Sequence, residues 1–270
     1  MSYLVPSEFA TKMVDAGESK LTMATRDALI RAYMAGAILA LAAVFAVTVT
    51  AQTGYPILGA MLFPVGFCIL YLMGFDLLTG VFVLTPLAWF DKRPGVTLSG
   101  ILRHWGVVFL GNFLGALTVA LLMAIVFTYG FSTDGGKIGE MISHIGEDRT
   151  LGYKEYGAAG MLTIFIRGVL CNWMVSLGVV GAMISTTVGG KVIAMWMPIM
   201  LFFAMGFEHS VVNMFLFPFG LIMGADFSIM DYMIWNELPV VLGNLIGGLT
   251  LTGLTLYTTH VKTAPKRAFP

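Results

Sequence analysis

Apolar residues run along this chain in long blocks: about 33–52, 55–73, 106–130, 158–185, 192–206 with 211–224, and 235–258. Roughly 20 such residues cross a bilayer as a helix, so the blocks predict an all-α integral membrane protein with six transmembrane helices. Two glycine-bearing polar stretches interrupt the pattern, Gly74-Phe75-Asp76-Leu77-Leu78-Thr79-Gly80 and Gly206-Phe207-Glu208-His209-Ser210. A helix breaks at such a place. Inside a membrane the freed backbone is tolerated only when buried in protein or lining a wet cavity.

The two interruptions belong to an internal repeat. Asp76 is matched by Glu208 and Gly111-Asn112 by Gly243-Asn244, at one constant offset of 132 residues (208 − 76 and 243 − 111). Gly36 with Gly168 and Pro86 with Pro218 keep the same offset without a gap. Each half holds three crossings, an odd number, so the second half must lie upside down relative to the first. The sequence therefore predicts two inverted three-helix repeats with the second helix of each half broken, an architecture whose site lies near the midplane.

Charge placement orients the chain. Lys12, Lys20, Arg26, Arg31, Lys92, Arg93, Arg103, Lys191, Lys262, Lys266 and Arg267 fall on one side of the six crossings, against Lys137, Arg149 and Lys154 on the other. The positive-inside rule puts both termini in the cytoplasm. The largest external loop, about 131–156, carries Asp134, Glu140, Glu147, Asp148 and Glu155 and reads as an ordinary soluble connection. Residues 1–27 form a cytoplasmic N-terminal segment without the apolar stretch of a cleaved leader. In it Phe9, Met13 and Val14 share one side of a helix that Ser7 caps after Pro6, lying at the membrane surface, or else the segment is a mobile tail. Residues 28–260 are one transmembrane channel domain, with halves about 28–130 and 158–260, and 261–270 a cytoplasmic tail.

Composition confirms the solvent: 58% apolar, 11% charged and a mean hydropathy of +0.87 exceed what a soluble core hides. A formal net charge of zero argues against nucleic acid as a partner. Cys68 and Cys171 sit inside apolar runs, and His104, His144, His209 and His260 are scattered with no HExxH or paired-cysteine motif. No metal, no cofactor and no enzymatic activity are expected.

The chemistry concentrates at the breaks. Each half-helix that follows a break aims its positive end there, so Asp76 and Glu208 fit as caps accepting hydrogen bonds from unpaired amides, with direct participation in conduction the other reading. His209 has apolar Leu77 as its repeat partner. As a lone intramembrane histidine it is either a core residue or functional, and its place at a break with Thr79, Asn172 and Asn213 available to converge favours function. Arg167, five residues before Asn172, either snorkels to the outer surface or makes an outer vestibule attractive to anions. Phe63, Phe67, Phe202 and Phe203 flank the breaks as candidates for hydrophobic constrictions.

The loop Gly74–Thr79, the run Gly206–Met214, the stretch Cys171–Val175 and Gly243-Asn244 closely resemble the formate/nitrite transporter family, over nearly the whole chain. The resemblance implies a homopentamer in membrane lipid with a pore in every protomer and an aquaporin-like protomer fold. It implies a channel for small monovalent anions, formate first and nitrite or hydrosulfide next. It makes Thr79 the loop threonine, His209 the central histidine and Asn172 the asparagine beside it. Phe63, Leu78 and Phe202 become the outer constriction and Phe67 and Leu77 the inner one, and Lys20 and Arg167 draw the anion in. Leu78 stands where some members carry an aromatic, and Arg167 where nitrite-type members carry lysine, both positions that bear on substrate preference. A neutral-solute channel of the aquaporin type shares the repeat, but its Asn-Pro-Ala signatures are missing from this sequence.

Overall fold

The structure, a computed structural model, describes residues 2–263, so residues 264–270 of the expected tail, with Lys266 and Arg267, lie outside the described residues. The chain is all-helical: α1 (Pro6–Thr22), α2 (Thr25–Thr53), α3 (Pro56–Leu62), α4 (Pro64–Leu72), α5 (Leu78–Phe90), α6 (Leu98–Phe127), α7 (Gly136–Asp148), α8 (Leu151–Glu155), α9 (Gly157–Gly181), α10 (Val188–Ala204), α11 (Ser210–Ile222) and α12 (Ile229–Lys262). The last passes through π-type turns at Met233–Glu237, Gly247–Leu254 and Thr258–Lys262. Among the described residues there is no strand, only an isolated bridge between Tyr3 and Ser185. Helices α2, α6, α9 and α12 are long and apolar enough to cross a membrane.

Local chemistry sets the helix ends. Helix α2 stops where Gly54 takes a left-handed φ of 75° and Pro56 opens the next helix. Thr97 and Thr187 cap α6 and α10, their hydroxyls accepting from Gly100 N at 3.1 Å and Gly190 N at 3.2 Å. The remaining apolar helices are short. Helix α4 stops before α5 at residues 73–77, and α10 stops before α11 at residues 205–209, at the two expected breaks.

Two helix pairs form the frame. Helix α2 packs along α6 through Gly36, Gly111 and Gly115, and α9 packs along α12 through Gly168, Gly243 and Gly247. A Cβ at Gly115 would run into the Tyr33 carbonyl, and one at Gly247 into the Val169 carbonyl, so these backbones approach as only small residues allow. The glycines of one pair stand 132 residues from those of the other.

Two expectations need correction. Ser7 does not cap α1: Pro6 is its first residue, Val5 precedes it, and the Glu8 carboxylate accepts from Val5 N at 3.1 Å. The apolar face of α1 is neither a mobile tail nor turned to lipid, because Phe9, Met13 and Val14 are buried and the helix packs on α5. Arg93 ties it down through Asp15 at 2.7 Å and Glu18 at 3.2 Å. The stretch 131–156 is likewise no plain connection. It forms α7, which packs on α11, α2 and α6, and α8, which packs on α9.

Candidate functional site

Both breaks are made the same way. Gly74 and Gly206 adopt left-handed φ values of 74° and 62°, which a side chain resists and glycine permits. The turned chain closes with Phe75 N donating to Leu70 O at 2.9 Å and Phe207 N to Phe202 O at 3.1 Å. One asparagine then braces each break from the neighbouring long helix. Asn112 Oδ1 accepts from Leu78 N at 2.8 Å while its Nδ2 donates to Ala32 O and Asp76 O. Asn244 Oδ1 accepts from Ser210 N at 3.0 Å while its Nδ2 donates to Gly168 O and Glu208 O.

The first amides of α5 and α11 are thus taken by asparagines, not by Asp76 and Glu208, which corrects the expected capping role. Leu77 and His209 occupy the cap positions, and His209 Nδ1 itself accepts from Val212 N at 3.2 Å. The two carboxylates are bound into ion pairs. Asp76, fully buried, meets Lys20 from the end of α1, and its Oδ2 has no partner among the described residues. Glu208 receives Arg149 at 3.3 Å, Tyr153 O–H at 3.0 Å and Asn213 Nδ2 at 3.0 Å. Asn213 continues to Asn236 Oδ1 at 2.7 Å, so it serves the carboxylate and does not converge on the histidine side chain.

Between the breaks stands the pair the sequence suggested. Thr79 Oγ1 and His209 Nε2 are 3.1 Å apart, both fully or nearly fully buried. Because Nδ1 accepts the Val212 amide, the ring proton sits on Nε2, donates to Thr79 Oγ1, and leaves the threonine O–H free to donate onward. Asn172 holds the threonine in place, its Nδ2 donating to Thr79 O at 3.2 Å and Asn244 O at 2.6 Å, and its buried Oδ1 has no partner among the described residues. Aromatic rings wall this centre. Phe202 stacks on the His209 ring with centroids 5.6 Å apart, Phe63 meets Phe202 edge-on at 5.7 Å, and Phe67 lies 4.4 Å from Tyr71. Leu77 and Leu78 are buried at the first break.

One cavity reaches this centre and a second lies beside the second break. One, about 450 Å³, is lined by Phe202, Phe203, Phe207, His209, Val212 and Arg149 among mostly apolar neighbours. The other, about 610 Å³, lies against Arg149, Tyr153, Gly206 and Arg167. Arg167 donates to the Tyr153 hydroxyl at 2.7 Å and, unlike Lys20 and Arg149, pairs with no carboxylate among the described residues. Burial, helped by the nearby Glu208 charge and opposed by Arg167, pushes the Tyr153 hydroxyl up to about 12, so it stays a neutral donor.

Sequence reasoning missed Arg149 and Tyr153, which lie in a stretch read as plain loop. It also overlooked Glu237, an acid inside the 235–258 block, although a carboxyl in an apolar run is itself a signal. Asn112 was visible only as part of the repeat, and Asn244 there and in the family resemblance, neither of them as a brace.

The model of the family described as formate/nitrite transporter matches residues 7–258. A probable formate transporter of Methanothermobacter thermautotrophicus is 32% identical over 277 residues, covering 97% of this chain and 98% of its own length. A formate channel of Haemophilus influenzae is 33% identical over 244 residues and covers 82% of each chain. Among solved structures, a pentameric formate channel with formate bound matches with a TM-score of 0.66 at 25% identity, over 83% of this chain and 92% of that one. An ion channel of the same family shares the fold with a TM-score of 0.80 at 22% identity, over 93% of this chain and 98% of that one.

Proposed function

The chain belongs to the formate/nitrite transporter family, a family of multi-pass membrane channels and transporters rather than enzymes, and from that premise we propose that it is a channel for small monovalent anions, formate first among them. Nitrite and hydrosulfide are the other substrates of this reading. In it the protomer has six crossings in two inverted halves with an aquaporin-like arrangement, both termini are cytoplasmic in the cell membrane, and five copies assemble. The likeness to a pentameric channel supports the assembly, which a native mass of five protomers in mild detergent checks.

The observation that carries the function is the buried Thr79–His209 pair, set between the two breaks and walled by Phe202 and Phe63. An anion entering an apolar constriction loses its hydration at a cost of many kcal/mol, whereas its neutral acid loses far less. Arg167 on the outer side gathers the anion, and Lys20 lies on the inner side beside Asp76. At the centre the free O–H of Thr79, polarised by the imidazole N–H behind it, donates to the dehydrated anion. Proton-linked passage requires the ring to charge at Nδ1, which costs it the Val212 amide, and to hand its Nε2 proton on through the Thr79 hydroxyl. Phe63, Leu78 and Phe202 narrow the path on the outer side, and Phe67 and Leu77 on the inner side.

Flux of a panel of small weak-acid anions into proteoliposomes over a pH series tests this function. Saturable formate flux that rises as pH falls supports it, and indifference to both anion identity and pH overturns it.

A further inference from the structure

Glu237 is 1% exposed on α12, in an apolar stretch, and the pathway described above gives it no task. Its oxygens are held by neutral hydroxyls: Ser210 O–H donates to Oε1, and Tyr232 O–H donates to Oε2 at 2.8 Å. Among the described residues no Lys, Arg or His nitrogen lies within ion-pair distance of it, in contrast to Glu208 with Arg149. Ser210 is the first residue of α11 and follows His209 directly, and Asn236, the neighbour of Glu237, donates to Glu208 at 3.4 Å. Glu237 therefore stands behind the second break, hydrogen-bonded to the residue that follows the histidine.

The charged and titratable groups around it are few. The segment leading into α11 brings Glu208 and His209, and the α7–α8 side brings Arg149, Tyr153, Lys154 and Glu155. Asp231 and Tyr232 precede it on its own helix, and residues 238–246 contribute none. Of the nearby cations, Arg149 is committed to Glu208 and Lys154 to Asp231 at 2.8 Å, while Arg167 on α9 donates to the Tyr153 hydroxyl and lies outside ion-pair distance of Glu237. A second carboxylate charge in this wall therefore has no cation paired to it, and a permeating anion meets it across a poorly screened interior.

We propose that Glu237 is a proton-binding site behind the second break, and that its ionisation turns down anion passage by setting an unpaired negative charge behind the segment that carries His209. The inference rests on the anion-channel reading. It makes Glu237 a positioning residue for the field at the histidine, distinct from any proton His209 carries.

The test compares formate flux in proteoliposomes across a pH series for the wild type, Glu237→Gln and Tyr232→Phe, with infrared difference spectra of the purified proteins over the same series. Gln keeps the shape and cannot ionise, so its flux on the alkaline side should exceed that of the wild type by about tenfold. Phe removes a donor to the charged form, so the alkaline decline should move upward by about one pH unit, a tenfold change in proton affinity. The wild type should show a titrating protonated-carboxyl band that Glu237→Gln lacks. Flux profiles that superimpose on the wild type, or a carboxyl band unchanged in Glu237→Gln, would overturn the proposal. If Glu237→Gln does not assemble, Tyr232→Phe and the wild-type spectra decide in the same way. Wild-type vesicles that pass no anion at any pH count against the channel reading, while the infrared titration still judges Glu237 separately.

Discussion

Asn112 and Asn244, 132 residues apart, each accept the first amide of a half-helix and donate to two carbonyls across the gap, one of them the carbonyl of Asp76 or Glu208. A side-chain amide is the one group that offers an acceptor and two donors together, which suits it to brace a broken helix inside a membrane. Its partners at the breaks, Asp76, Leu78, Glu208 and Ser210, are buried.

Asn112→Ala or Asn244→Ala should therefore destabilise the fold by about 3 kcal/mol, since each leaves unpaired the first amide of a half-helix and the break carbonyl of Asp76 or Glu208, and takes a second donor from a helical carbonyl, Ala32 or Gly168. A lowered thermal unfolding midpoint in detergent is the check. Midpoints equal to the wild type would show that the breaks hold themselves.

The ion pair of Lys20 with Asp76 makes a second prediction, because Asp76 is fully buried and depends on this cation. Lys20→Met should cost about 3–5 kcal/mol by stranding the carboxylate, and adding Asp76→Asn should restore most of the loss. Thermal midpoints of the single and double variants decide it. A double variant as unstable as the single would mean that packing of α1, not charge, is what Lys20 supplies.

Much of this was legible in the sequence. The apolar blocks located the long helices and α3, α4, α10 and α11, though not α5 (Leu78–Phe90), α7 or α8, and the offset of 132 located both breaks and, through them, Thr79 and His209. The partners of Asp76 and Glu208 were not legible. A carboxylate before a half-helix looks like a cap, and only the fold shows that asparagines from α6 and α12 already fill that place. Arg149 and Tyr153 were hidden for a different reason: polarity marks a loop as solvated, and nothing local says that its helices fold back over the site. Glu237 was legible as an acid in an apolar run, though not the hydroxyls that hold it.

Arg149 and Arg167 should separate in their effects. Arg167→Gln should lower flux at low external anion concentration and lose most of that defect at high ionic strength, where steering is screened. Arg149→Gln should instead lower the thermal midpoint, because Glu208 loses its only cation among the described residues. Initial rates at two salt concentrations, beside melting curves, separate the two roles. Equal salt sensitivity in both variants would contradict it.

The central claim is that the Thr79–His209 pair handles the dehydrated anion, and flux through His209→Asn against pH tests it most directly. Asparagine keeps a polar side chain at the cap of α11 and cannot exchange a proton in the working range. The variant should fold and assemble, yet lose the normal pH dependence of formate flux, whereas Thr79→Ala should weaken flux at every pH by removing the donor while the imidazole remains. A His209→Asn channel that carries formate with the wild-type pH profile would make the histidine a packing residue and contradict the account.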